Sequence, residues 1–156
     1  MTKTVLGTLC LYLFCACGPG IIYEESQTFP PTGWDYTTPA NFRYHIEDTS
    51  KTYDLTLGVT HSSDFAYQNF YVRLYTTLPA GTIDTQLLSL QLAGEFGAWQ
   101  GNCATSECTL TIPLISNLRY QVPGPYSLTV EQYSRDNPLI GIYGLKARVL
   151  EHQNTD

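Results

Sequence analysis

The chain has 156 residues, and its 14 Asp and Glu outnumber its 8 Lys and Arg, which gives a formal net charge of −6 and a pI near 4.9. It has no basic patch or run, so a nucleic-acid partner is not expected. Only 14% of the residues are charged while Tyr occurs 12 times. This composition is poor in helix formers and rich in residues that suit half-buried strands, so it predicts an all-β protein.

The first predicted element is an export signal at the N-terminus. Lys3 supplies a positive charge, and the apolar run at residues 5–14 is about half as long as a membrane-spanning helix requires. The pair Ala16-Cys17, followed by Gly-Pro-Gly, resembles a bacterial lipobox. It predicts that residues 1–16 are a signal peptide and that Cys17 becomes the lipid-bearing first residue of the mature chain.

Two alternatives to lipidation stay open for this region. One is ordinary cleaved secretion, and the other is a zinc or redox site built from Cys10, Cys15 and Cys17, although no histidine accompanies these thiols. Lipidation explains the order of features best, because a small residue precedes Cys17 and helix breakers follow it. Two or more acyl chains would anchor the protein to a bilayer, so the membrane is its first predicted partner.

The segment after Cys17 predicts a linker. Residues 17–33 show no periodicity, and their Gly, Ser and double Pro are typical of a flexible tether. The folded domain is predicted at 34–152, with a short tail at 153–156. This length suffices for one domain with a hydrophobic core and is too short for two.

From residue 42 onward, apolar and polar residues alternate with the period of a strand that has one buried face. Two such segments, separated by a turn at 48–51, predict a β-hairpin whose inward residues are Phe42, Tyr44, Ile46, Tyr53, Leu55, Leu57 and Val59. Further strands are predicted at 67–78, 82–93, 98–101, 108–114, 118–122, 126–134 and 139–151, with turns at Pro113, 123–125 and 136–138. About eight or nine strands at this spacing predict one antiparallel β-sandwich, either Ig-like or jelly-roll-like.

The last two cysteines, Cys103 and Cys108, are separated by four residues. That spacing fits the tip of a hairpin, which would bring the two Cα atoms close enough for a disulfide. In a chain exported to an oxidising compartment, a disulfide is the favoured interpretation. A metal or redox pair and free thiols are the alternatives.

The sequence offers little catalytic chemistry. His45 lies on the polar face of a strand, His61 in a predicted turn and His152 near the tail, so all three are expected to be solvated. The run at 61–64, HSSD, does not by itself assemble a nucleophile and a base from separate segments. The carboxylates are dispersed among turns and match no calcium loop. We therefore predict no catalytic residue, no metal site and no cofactor.

One outward-facing row suggests binding. In the strand at 67–78, Phe70, Val72 and Leu74 are predicted to face inward, so the opposite face carries Tyr71, Arg73 and Tyr75. Two aromatic rings beside an arginine could stack on a sugar ring or an extended peptide. The alternative is that a neighbouring strand simply covers this row.

Read in order, several stretches resemble the gliding-motility lipoprotein family GldH of the Bacteroidetes. The segments FAYQNFY at 65–71, GAWQG at 97–101 and EQYSR at 131–135 carry most of the resemblance, which spans nearly the whole mature chain. Cys103 and Cys108 depart from it, because they occupy a loop that is glycine-rich in the family. The resemblance implies an envelope lipoprotein of the machinery that moves adhesins over the cell surface, associated with type IX secretion. It implies envelope-protein partners, no enzymatic activity and no cofactor.

The residues after Cys17 predict where the protein is sorted. Gly18 occupies the position where an aspartate retains lipoproteins in the inner membrane, so the outer membrane is expected. Acidic residues arrive only at Glu24 and Glu25, whereas surface-exposed lipoproteins of Bacteroidetes carry them directly after the cysteine, so we predict the periplasmic face. The alternatives to a component of the gliding machinery are a sugar- or peptide-binding lipoprotein and, less favoured, a hydrolase.

Overall fold

The computed structural model describes residues 20–153, which form nine β-strands and one short 3-10 helix. The strands are β1 (Ile21–Thr28), β2 (Ala40–Ile46), β3 (Tyr53–Ser62), β4 (Asn69–Thr77), β5 (Ile83–Gln91), β6 (Asn102–Ala104), β7 (Glu107–Leu118), β8 (Gly124–Gln132) and β9 (Ile142–Glu151); the 3-10 helix is η1 (Glu95–Gly97). Within residues 20–153, no helix is long and apolar enough to cross a membrane.

The strands form two antiparallel sheets packed face to face, which confirms the all-β sandwich. The five-stranded sheet has the order β1-β9-β3-β7-β6, and the four-stranded sheet has the order β2-β8-β4-β5. Alternate residues of each central strand enter the core between the sheets, because successive side chains of a strand point to opposite faces. The predicted inward residues of β2, β3 and β4 are all buried, at 6% exposure or less.

The predicted hairpin between β2 and β3 is wrong. β2 pairs with β8 in the four-stranded sheet, whereas β3 pairs with β7 and β9 in the five-stranded sheet. The turn at 48–51 therefore carries the chain from one sheet to the other. In that turn the backbone N–H and the hydroxyl of Ser50 donate to the Asp48 carboxylate at 2.8 and 2.5 Å. Such a turn looks the same in sequence whether it joins paired strands or crosses between sheets.

The expected flexible tether is also wrong from residue 21 onward. Residues 21–28 form β1, which pairs with β9 along its length, from Ile21 opposite Leu150 to Thr28 opposite Gly144. β1 buries none of its residues fully, so its sequence lacks the alternation by which the other strands were predicted. Phe29 and Trp34, at 8% and 0% exposure, belong to the core.

Other strand boundaries also differ from expectation, since β7 runs from Glu107 to Leu118 and no strand forms at 119–122. Pro113 lies inside β7 instead of in a turn, opposite Thr56 and next to a register shift. β6 pairs only with the first residues of β7, up to Thr109, so among the described strands Pro113 lies where β7 is the edge of the sheet, a position that tolerates proline. The short strand expected at 98–101 forms instead at β6.

The sandwich has two ends, which hold different kinds of residue. We call the end at which β1 begins the proximal pole; there β3, β5 and β8 also begin and β2, β4, β7 and β9 end. The opposite end is the distal pole. It contains the start of β4, the paired strands β6 and β7, and the connection from β1 to β2.

Candidate functional site

Four exposed tyrosines lie on the four-stranded side of the distal pole. Tyr36, Tyr67, Tyr71 and Tyr133 are 44%, 45%, 48% and 49% exposed. Together with Leu87, Arg73 and Arg135 we call them the tyrosine surface. They line two adjoining concavities of about 650 and 560 Å³, which share Tyr133, Ser134 and Arg135.

Strand alternation positions the central tyrosine of this surface. Phe70 and Val72 of β4 enter the core at 2% and 0% exposure, so Tyr71 between them points outward. Tyr133 follows β8, and its backbone N–H donates to the carbonyl of Tyr71 at 2.8 Å. The two exposed rings are therefore held by one pair of neighbouring backbones.

Arg73 joins the tyrosine surface to the rest of the row predicted from sequence. Its guanidinium lies 4.2 Å from the centroid of the Tyr133 ring, a cation–π contact. Its Nη1 donates to the Tyr75 hydroxyl at 3.4 Å, and that hydroxyl donates to Glu131 at 3.0 Å. The hydrogen bond to Tyr75 raises the pKa of Arg73, so the positive charge is kept.

The row Tyr71, Arg73 and Tyr75 does face outward, and no described strand covers it. Arg73 and Tyr75 are half-buried and engaged with each other, so Tyr71 is the freely exposed member. The sequence reading missed Tyr36, Tyr67 and Tyr133. The alternation of β8 could have indicated that Tyr133 faces outward, because it follows the inward-facing Gln132. Tyr36 and Tyr67 lie in irregular segments, where no alternation predicts exposure.

Hydrogen bonds at their hydroxyl ends hold the outer tyrosines in place. The Tyr67 hydroxyl donates to the Asp136 carboxylate, which raises the pKa of Tyr67. The Tyr36 hydroxyl donates to the carbonyl of Ser134, in the same loop. Gln132, 2% exposed, accepts from the Ser134 N–H at 2.9 Å and thereby fixes that loop. Rings fixed at one end with exposed faces bind at low entropic cost.

The histidines do not form a catalytic group. His45 is exposed, as predicted. The prediction for His61 is wrong: it is the second-last residue of β3 and is 0% exposed, its Nδ1 lies 2.8 Å from the Ser62 carbonyl, and burial lowers its pKa. His152 is also less solvated than predicted, since its Nδ1 lies 2.8 Å from the Asp54 carboxylate.

Nor do residues 20–153 provide a metal site or a nucleophile–base pair. No group of three or more metal-ligating side chains occurs among them. Ser62, the serine next to His61, accepts a hydrogen bond from the Asp64 N–H at 3.1 Å. The run HSSD is thus the end of β3 and the turn after it, and the Ser62 hydroxyl is used within that turn.

Cys103 and Cys108 lie opposite each other in β6 and β7, with their sulfurs 1.97 Å apart and their Cα atoms 4.0 Å apart. The bond closes the distal pole on the five-stranded side. Cys108 is fully buried and Cys103 is exposed. Cys17, the predicted lipidation site, lies outside the described residues.

Comparison with known proteins identifies the family. The family model described as GldH lipoprotein matches residues 21–146, most of the chain. The chain belongs to the GldH lipoprotein family. A curated GldH family relative, the gliding motility lipoprotein GldH homolog of Christiangramia forsetii, is 22% identical over 127 residues, covering 81% of this chain and 77% of the relative. The match to the GldH model begins at Ile21, the first residue of β1.

Two solved structures are similar to this GldH family member at low scores. CBM35 from Cellvibrio japonicus has a TM-score of 0.32 and 16% identity, covering 88% of this chain and 94% of that one. Xyl-CBM35 in complex with a disaccharide that contains glucuronic acid has a TM-score of 0.33 and 16% identity, covering 90% and 96%.

The segments by which the sequence resembles GldH meet at the distal pole. Segments 65–71 and 131–135 contribute Tyr67, Tyr71 and Tyr133 to the tyrosine surface. Segment 97–101 contributes Trp99, whose indole N–H donates to the Ser63 carbonyl at 2.8 Å. The three segments that carry most of the resemblance therefore lie at one end of the sandwich, far from the N-terminus of β1.

Proposed function

We propose that this protein is a lipid-anchored, non-enzymatic component of a gliding machinery associated with type IX secretion, and that it binds another envelope protein through the tyrosine surface. Family membership supports the lipoprotein and gliding assignments. The tyrosine surface is the observation that supports binding. Tyrosine and arginine are enriched where protein interfaces derive most of their energy.

The geometry of the chain supports anchoring at one end of the domain and partner binding at the other. Three residues separate the predicted lipid site, Cys17, from the first residue of β1. The anchor is therefore attached next to the proximal pole. A strand of nine or ten residues, such as β4 or β9, is about 30 Å long. The tyrosine surface, at the far end, is then directed away from the bilayer and toward other envelope proteins.

The surface also favours a second candidate function. Exposed tyrosine rings around a concavity of about 650 Å³ suit stacking on a sugar ring or an extended peptide. Glycan-array binding by the soluble domain, lost in Tyr71→Ala with Tyr133→Ala, would favour a sugar-binding lipoprotein. Absence of glycan binding together with a spreading defect in the same variant would favour a protein partner.

The test of the proposed function is replacement of the gene in its host. Deletion should abolish colony spreading and reduce surface delivery of secreted adhesins. Tyr71→Ala with Tyr133→Ala should reproduce most of that loss while the protein stays folded and in the membrane fraction. Tyr143→Ala, a half-exposed tyrosine of β9 in the other sheet, is the matched control and should spread normally. Normal spreading of the double variant would contradict the role of the tyrosine surface.

Lipidation is tested by mass. Protein extracted from membranes should lack residues 1–16 and carry added acyl mass at Cys17, and Cys17→Ala should be soluble or remain uncleaved. Unmodified protein that begins at another residue would refute this anchor.

We place the protein at the periplasmic face of the outer membrane. The acidic pair Glu24-Glu25 lies within β1, so it forms no free acidic cluster after the cysteine. Protease added to intact cells should leave the domain uncut and should digest it once the outer membrane is opened. Prompt digestion on intact cells would show that it faces outward.

A further inference from the structure

The large apolar residues exposed at the two poles differ in kind. At the proximal pole they are aliphatic: Ile21, Ile22, Leu78, Ile83 and Val122, with exposures of 57%, 45%, 37%, 60% and 52%. At the distal pole most are aromatic, as the tyrosine surface and Phe96 show. Aliphatic side chains suit the hydrocarbon side of a bilayer interface, whereas tyrosines suit any interface that is apolar on one side and wet on the other.

These aliphatic residues come from separate segments that converge on one rim. Leu78 and Pro79, at the turn from β4 to β5, line a cavity of about 970 Å³ with Ile21 and Ile22. The same two residues line a neighbouring, largely apolar groove of about 270 Å³ with Val122. Ile83 pairs with Thr77 beside that turn. Leu78 and Pro79 therefore link the two hollows into one rim at this end of the sandwich.

The chain brings this rim to the membrane. Only Gly18, Pro19 and Gly20 separate Cys17 from β1, so the Cα atoms of Cys17 and Ile21 lie within about 14 Å of each other at full extension. A lipid on Cys17 thus holds the proximal pole at the headgroup layer, with no tether long enough to lift it away.

We propose that the proximal pole lies directly on the lipid bilayer, with its aliphatic rim inserted into the interfacial region. The proposal rests on the lipid anchor of the proposed function and adds a fixed orientation to it. We expect apolar insertion, not charge, to hold the contact. The charged residues around the rim are of both signs, with Arg43, Lys51 and Arg119 beside Glu47, Asp48 and Glu151. The contact should therefore depend weakly on salt and on anionic lipid.

The orientation can be measured by tryptophan fluorescence in vesicles of brominated phosphatidylcholine. Both native tryptophans, Trp34 and Trp99, lie at the distal pole, so the native acylated protein supplies the background. Val122→Trp adds a probe to the rim, and Ile140→Trp, at a distal residue of 67% exposure, is its matched control. We expect the Val122→Trp probe to be quenched about threefold more strongly than the Ile140→Trp probe, since interfacial side chains lie about 5–10 Å deep.

A second pair keeps the test decisive if one variant fails to fold. Ile83→Trp and Leu87→Trp lie on the same face of β5, at 60% and 55% exposure, and only the first should be quenched. Equal quenching within either folded pair, or stronger quenching of the distal probe, would overturn the docked orientation. Intact mass and flotation with vesicles report lipidation separately, so loss of the anchor and failure of docking are distinguishable.

Discussion

The two poles of the sandwich are built differently, although the same strands run through both. At the distal pole the chain is closed over by stacked rings: Trp34 lies on Phe29 with centroids 4.4 Å apart, and Trp99 meets the buried His61 edge-on at 4.8 Å. The Cys103–Cys108 bond closes the same end. At the proximal pole a cavity of about 970 Å³ opens between the sheets. We expect the closed end to preorganise the proposed binding surface and the open end to fit the proposed contact with the bilayer.

Three packed tyrosines, which we call the tyrosine wall, separate the proximal cavity from the hydrophobic core: Tyr44, Tyr120 and Tyr126. Tyr44 stacks on Tyr126 with centroids 5.9 Å apart, and its hydroxyl lies 3.1 Å from that of Tyr120. The Tyr126 hydroxyl donates to the Val122 carbonyl at 2.7 Å. Burial raises the pKa of Tyr44 and of Tyr120, so both phenols stay neutral. Their rings extend the core while their hydroxyls satisfy one another at the cavity.

The closed pole should respond most strongly to loss of its central ring. Trp34→Ala removes a side chain of 0% exposure and its hydrogen bond to the Thr38 carbonyl at 2.8 Å. We expect the free energy of unfolding to fall by about 3–5 kcal/mol in urea denaturation. Phe96→Ala, at a fully exposed ring of the same pole, should change it by less than about 0.5 kcal/mol. Similar values for the two would show that the distal pole is not closed as described.

The disulfide should contribute next. Replacing both Cys103 and Cys108 by Ala should lower the free energy of unfolding by about 2 kcal/mol, the loop-closure contribution expected for so short a loop. Hydrogen exchange should increase at the distal pole, in β6 and the start of β7, and stay unchanged at Tyr44 and Tyr126. Increased exchange at the proximal pole instead would contradict the separation of the two ends.

The tyrosine wall can be tested by a double-mutant cycle. Tyr44→Phe or Tyr120→Phe alone leaves one buried hydroxyl without its partner and should cost about 1–2 kcal/mol. The double variant should cost less than the sum, because no unpaired hydroxyl then remains. Tyr143→Phe, at a half-exposed ring of β9, should be nearly neutral. Strict additivity would show that the hydroxyls of Tyr44 and Tyr120 do not interact.

The smallest effect is a pH dependence carried by His61. Burial lowers the pKa of His61 below the ordinary 6.5. Between pH 6.5 and that lower pKa, His61 is protonated in the unfolded chain and neutral in the folded chain. Stability is full above pH 6.5 and should decline through that window by at most about 1.4 kcal/mol per pH unit. In His61→Leu this slope should disappear, whatever the change in absolute stability. An unchanged slope would show that His61 is protonated in the fold.

Sequence patterns predicted the faces of strands but not their partners. Alternation placed Phe42, Leu57 and Val72 in the core correctly, because burial of one face is a local property of a strand. Pairing depends on residues far apart in the chain, so the β2–β3 hairpin was wrong. β1 escaped prediction because none of its residues is fully buried, so no apolar period marks it in the sequence. Tyr71 was identified from alternation, whereas Tyr36 and Tyr67 reach the same surface only through the fold of irregular segments.

The most direct test of the central claim, that the tyrosine surface binds an envelope partner, is site-specific photo-crosslinking in living cells. A photoreactive phenylalanine in place of Tyr71 should give one discrete adduct with an envelope protein, and the same group in place of Tyr143 should give none. The Tyr71 adduct should disappear when Tyr133→Ala is added, while membrane attachment is unchanged. Adducts that are the same from both positions, or absent from position 71 in a folded and anchored protein, would contradict this account.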